Sequence, residues 1–169
     1  HPDAQSDLEK FKLGGVDLQV FSVWVSPYEF EESEYFQHAD NMITKLEFLC
    51  SRVPDKWRII KTYQDINYNQ KRNIMSCMIG VEGGHVIGDD ITKVKYFYDR
   101  GMRYLGLTWN NSNSIASSAK DEFENISVLK KVGLTDFGRE VIRECNRLGV
   151  MIDISHAGEN TFWDVIDLT

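Results

Sequence analysis

The run Ile74-Met-Ser-Cys-Met-Ile-Gly-Val81 stops abruptly at Glu82-Gly-Gly-His85, and this junction constrains the fold more than any other stretch. An uninterrupted apolar run suits a parallel strand covered on both faces, while paired glycines let the chain turn and bring its backbone close to a ligand. A carboxylate at the end of such a strand lies where α/β proteins keep their chemistry. Val150-Met-Ile-Asp-Ile-Ser-His156 repeats the layout, apolar and then a histidine.

The intervening segments alternate. Lys12 to Val25 reads as a strand rich in β-branched and aromatic side chains, ended by Ser26-Pro27. From Ser33 to Arg52, Phe36, Ala39, Met42, Ile43, Leu46 and Leu49 recur at helical steps, and Pro54 closes that helix. Trp57-Arg-Ile-Ile reads as a short strand or connection, and the polar stretch Gln64 to Arg72 as connection. Asp89-Asp90 offers an N-cap to a helix carrying Ile91, Val94, Phe97 and Tyr98, with Gly101 at its end. Arg103 to Asn110 is the next strand. Residues 110–132, rich in Asn, Ser and charge, read as a long loop that could cover a site as a lid. Thr135 caps a helix carrying Phe137, Val141, Ile142, Cys145 and Leu148 and ended by Gly149; the strand to His156 and a helix from Glu159 to Leu168 follow.

Regular alternation of strand and helix predicts a parallel sheet with right-handed crossovers. A (β/α)8 barrel and a doubly wound open sheet both satisfy it. A barrel normally takes about 250 residues, so 169 residues would hold about half of one. The net charge of −7, with 19 basic residues interspersed among 26 acidic ones, argues against nucleic acid and for a small molecule or metal as partner. No apolar run approaches the roughly 20 residues of a membrane span, and the first residues lack the basic and apolar regions of a signal peptide. Cys50, Cys77 and Cys145 lack CxxC spacing and read as buried thiols.

Glu82 either serves a site or caps the helix after the turn. Phosphate binding by the Gly-Gly turn is the weaker reading, because Val81-Glu-Gly-Gly-His lacks a GxGxxG pattern or a P-loop lysine. His85 reads as hydrogen-bonded to backbone. For His156 the alternatives are a divalent-metal ligand and a histidine satisfied by a neighbouring strand with Ser155 or Asp153. Two ligands do not make a zinc centre, which needs at least three protein donors.

Gly15-Val-Asp-Leu-Gln-Val-Phe-Ser-Val-Trp, Gly80-Val-Glu-Gly-Gly-His, Gly101-Met-Arg-Tyr-Leu-Gly-Leu-Thr-Trp-Asn, Gly133-Leu-Thr-Asp-Phe-Gly-Arg-Glu-Val and Asn146 to His156 follow one another in an order and spacing that resemble the membrane (renal) dipeptidase family. The resemblance runs from about Leu8 to the end. It implies a single partial α/β domain over residues 1–169, comprising about strands two to five of a (β/α)8 TIM barrel with their helices. It further implies a centre of two zinc ions, or another divalent metal, with Glu82 matching the carboxylate that bridges both ions and His156 a histidine ligand of one. The family's His-x-Asp pair, a further histidine ligand and a catalytic aspartate have no counterpart. His1-Pro-Asp3 mimics the pair but is not assigned to metal, so the catalytic residue is unknown.

Many members carry histidine where Trp109 stands; Trp109 and Asn110 are the implied substrate contacts. The implied activity is hydrolysis of a dipeptide substrate by a parent protein, with these 169 residues inactive alone. The implied partner is a second copy or the rest of the barrel, since a half-barrel leaves strand edges unpaired. The alternatives are an amidohydrolase acting on another amide or lactone, and a non-catalytic module that lost its metal site. Asn110-Asn-Ser and Asn125-Ile-Ser match the glycosylation sequon.

Overall fold

A computed structural model describes residues 5–124, 127, 129 and 131–169; His1-Pro-Asp3 and Asn125 lie outside the described residues. In order come α1 (Leu8–Leu13), β1 (Leu18–Trp24), α2 (Tyr35–Arg52), β2 (Trp57–Ile59), α3 (Tyr63–Gln70), β3 (Met75–Glu82), α4 (Thr92–Arg100), β4 (Met102–Gly106), α5 (Ala119–Glu124), α6 (Asp136–Leu148), β5 (Met151–Asp153) and α7 (Glu159–Ile166).

All pairings between these strands are parallel, in the spatial order β1-β3-β4-β5. The short β2 joins the first residues of β3, Met75 to Cys77, on the edge opposite β1. Apart from β2, spatial order follows chain order without reversal. A doubly wound sheet would reverse at a switch point, so the progression is that of a barrel wall.

The helices cover one face of this wall. Cys77, Ile79, Val81 and Leu105 are fully buried beneath them, alternating along their strands with side chains on the opposite, concave face. From α2 come Tyr35, Ala39, Ile43, Leu46 and Cys50, and from α4 Val94 and Phe97. The expected α2 stripe is correct in period but turned slightly: Leu49 is exposed, and Tyr35 and Cys50 complete the buried face.

Several boundaries differ from expectation. Lys12 and Leu13 belong to α1, with Asp7 capping the N–H of Lys10, rather than to the first strand. Gln64 to Gln70, expected as connection, is helical, because Thr62 and Asp65 form a reciprocal capping box that satisfies the first turn. β4 and β5 are shorter than the apolar runs containing them. The expected lid is laced down instead: Asn113 donates to Leu107 O (2.8 Å), Ser114 to Gly88 O (2.9 Å) and Ser118 to Asn110 O (3.0 Å), and the stretch contains α5. The caps at Thr135, Gly101 and Gly149 are as expected, both glycines having positive φ.

Candidate active site

Parallel register sets which side chains share the concave face. Trp24 lies opposite Glu82 and Ser22 opposite Gly80, while Gly80 faces Tyr104 and Gly106 faces Asp153. A Cβ at Gly80 would stand 2.0 Å from the Tyr104 ring, so the tyrosine occupies the room that the glycine leaves. Burial raises the Tyr104 hydroxyl pKa against a lowering hydrogen bond with Ser22, and the nearby charges of Asp153 and Glu82 add to the rise.

Glu82 ends β3 above this face. Ser22 Oγ donates to its Oε2 at 2.6 Å, so the carboxylate does not act as a helix cap; the turn after it starts at Gly83 with no side-chain cap. That turn requires both glycines. Gly83 has φ +93° and a Cβ there would meet the His85 ring at 2.5 Å, while one on Gly84 would stand 2.9 Å from Leu107 O. His85 is buried, its Nε2 lying 2.9 Å from Val25 O and its ring meeting Tyr35 edge-on. The expected backbone bond is therefore the one it makes. Desolvation by burial lowers its pKa, outweighing the Val25 contact.

His156 lies just beyond β5 with φ +63°, a left-handed conformation uncommon for a side chain of this size. Its Nδ1 lies 3.0 Å from Asn110 Oδ1, and its Nε2 lies 3.8 Å from Glu82 Oε1. Asp153 does not hold the ring; it accepts the Ser155 N–H at 2.9 Å. The Asn110 contact has an electronic consequence. A neutral imidazole that donates Nδ1–H to Asn110 presents a bare lone pair at Nε2, opposite a carboxylate oxygen that is also only an acceptor. Two acceptors facing one gap call for a cation between them.

Trp109 forms a wall beside this gap, its ring 5.1 Å from that of Trp24, 5.9 Å from Tyr28 and 6.2 Å from His156. The structure thus brings together all four residues singled out from the sequence: Glu82, His156, Trp109 and Asn110. Sequence reasoning missed Ser22, Trp24, Tyr28 and Tyr104. Alternation along β1 placed Ser22 and Trp24 on one face, but their alignment with Glu82 depends on strand register.

The donor types suit a divalent metal ion, and the Asn110 contact orients the imidazole as outer partners of metal-bound histidines do. The set is incomplete: among the described residues, no three His, Cys, Asp or Glu side chains converge as a metal site.

The model of the membrane dipeptidase family (peptidase family M19) matches residues 1–169. The chain belongs to that family. Dipeptidase 3 of Mus musculus is 32% identical over 165 residues, which is 98% of this chain and 32% of that protein. An uncharacterised dipeptidase of Schizosaccharomyces pombe is 27% identical over 180 residues, covering all of this chain and 43% of that protein. Among solved structures, the dipeptidase AC metallopeptidase superposes with a TM-score of 0.84 at 25% identity, over 97% of this chain and 51% of that one. A Rhodobacter sphaeroides metallopeptidase, solved with a phosphinate mimic of the dipeptide L-Ala-D-Ala, gives 0.84 at 24% identity and shares the fold. The chain spans about a third of the first curated relatives and about half of the superposed structures, so its sheet is part of their TIM barrel.

Proposed function

We propose that this chain is the part of a metal-dependent dipeptidase that supplies Glu82 and His156 to a centre of two zinc ions, or of another divalent metal. The 3.8 Å approach of Glu82 Oε1 to His156 Nε2, with Asn110 Oδ1 on the other ring nitrogen, is the observation that carries the reading. Glu82, oriented by Ser22, would bridge the ions, and His156, oriented by Asn110, would fix one of them. A divalent ion at such a centre lowers the pKa of bound water and polarises a carbonyl oxygen. Trp109 and Asn110 would border the dipeptide, the indole N–H donating one hydrogen bond and the ring excluding water from one side. Proton transfer to the leaving amine would fall to an acid elsewhere in the parent protein. These residues would be inactive alone and would associate with a second copy or with the remainder of the barrel.

The aromatic wall of Trp24, Tyr28 and Trp109 supports a second reading, an amidohydrolase of the same fold whose substrate is another amide or a lactone. Dipeptide hydrolysis by the full-length protein, with and without zinc, tests the first. Zinc-dependent turnover lost in Glu82→Ala supports it; turnover of lactones or other amides alone supports the second. Failure to bind zinc or any other divalent metal by elemental analysis, with Glu82 and His156 intact, would overturn both and leave a non-catalytic module.

A further inference from the structure

Two thiols outside the site lie together. Cys50, in the last turn of α2, and Cys77, in β3, are 27 positions apart in the chain, yet their sulfurs are 3.9 Å apart. Cys77 is fully buried on the helix-covered face of the strand that carries Glu82, and Cys50 is 7% exposed. Cys50 also lines a surface cavity of about 300 Å³ with Trp57, Arg58, Lys61 and Arg100, which leads from solvent to the residue that carries one of the two sulfurs. The pair is asymmetric. The Cys50 Sγ–H donates to Cys77 Sγ, and of the two only Cys50 borders the cavity. A solute in the cavity therefore meets Cys50 before Cys77, which is fully buried behind it.

We propose that Cys50 and Cys77 form a dithiol redox site that a small hydroperoxide, entering through this cavity, converts into a disulfide. Cys50 gives up its proton and its sulfur attacks one oxygen of hydrogen peroxide. The O–O bond breaks, hydroxide leaves to become water, and Cys50 is left as a sulfenic acid. The Cys77 sulfur then attacks the Cys50 sulfur, the S–O bond breaks, and the departing oxygen takes the Cys77 proton to leave as a second water. Two thiols and one peroxide give one disulfide and two waters, with both sulfurs oxidised and the peroxide reduced. The sulfurs close by roughly 2 Å to reach bonding distance. The product ties α2 to the back of β3.

The test treats the full-length protein with stoichiometric hydrogen peroxide, blocks free thiols under denaturing conditions and maps peptides without reduction. The expected result is a Cys50–Cys77 cross-linked peptide, two hydrogens lighter than the separate peptides and released by a dithiol reductant. Cys145, fully buried on α6 with its thiol pushed up to about 12, should stay reduced as the internal control. In Cys77→Ala, Cys50 should accumulate as a sulfenic acid trapped by dimedone; in Cys50→Ala, Cys77 should stay reduced. Full alkylation of both cysteines in the treated wild type overturns the proposal, and so does oxidation of Cys145 at the same rate. The wild-type mapping decides the matter even if a variant folds poorly.

Discussion

Mild acid should loosen the fold through His85. Its ring is wedged between Val25, just past β1, whose carbonyl lies 2.9 Å from Nε2, and the Gly83 turn, while Nδ1 is buried without a hydrogen-bond partner. A second proton at Nδ1 would be a buried donor with nothing to receive it, which is why desolvation lowers the folded pKa. The unfolded chain takes up that proton near pH 6.5 and the folded chain does so only at lower pH. Stability is therefore complete above the unfolded pKa and declines as pH falls below it.

If the folded ring stays neutral throughout, the loss between pH 7 and pH 5.5 has a ceiling of about 1.2 kcal/mol. Asp65, lowered chiefly by the Lys61 N–H, and Asp90, lowered chiefly by Thr92, lose their contributions only below the ordinary carboxylate range, outside this window. Urea unfolding at the two pH values should move the wild-type midpoint by about 0.6 M, taking a slope of roughly 2 kcal/mol per molar. In His85→Gln, which keeps a donor for Val25 O, most of that shift should vanish even if absolute stability falls. Equal shifts in wild type and variant would refute the reasoning.

Gly80→Ala should cost about 1–3 kcal/mol, because the added methyl displaces the Tyr104 ring, and Tyr104→Ala in the same chain should recover part of the loss; chemical denaturation of the single and double variants checks this. Thr135→Ala removes the acceptor for the Gly138 N–H (2.8 Å) and the donor to Ser114 O (2.5 Å). A loss of about 1–2 kcal/mol by urea unfolding is expected, with Thr135→Ser close to wild type. A neutral Thr135→Ala would mean the cap does not set the start of α6.

The sheet was legible because its information is local. The run from Ile74 holds a buried strand and that from Val150 a short, partly exposed one, and the candidate site residues Glu82 and His156 sit at or just past the points where apolar character stops. What chose a barrel wall over a doubly wound sheet was not local: both share the alternation, and only the unreversed order β1-β3-β4-β5 separates them. α3 escaped notice for a physical reason. It buries only Asn69, so periodicity had nothing to report, and its start is fixed by Thr62 and Asp65 side chains. At the site, the residue types were readable but their mutual orientation was not. That Ser22 steadies Glu82 and Asn110 turns His156 follows from contacts between residues 60 and 46 positions apart.

The left-handed backbone at His156 sets two selective pressures against each other. For the chain alone, glycine or asparagine fits that conformation better, by roughly 1 kcal/mol for glycine. For the proposed metal centre, histidine supplies an imidazole nitrogen that neither of them has. A mutational library scored for abundance should therefore enrich glycine and asparagine at position 156, and the same library scored for turnover should retain histidine. The distance between those two profiles at this one codon would measure how much folding stability the proposed ligand costs the lineage.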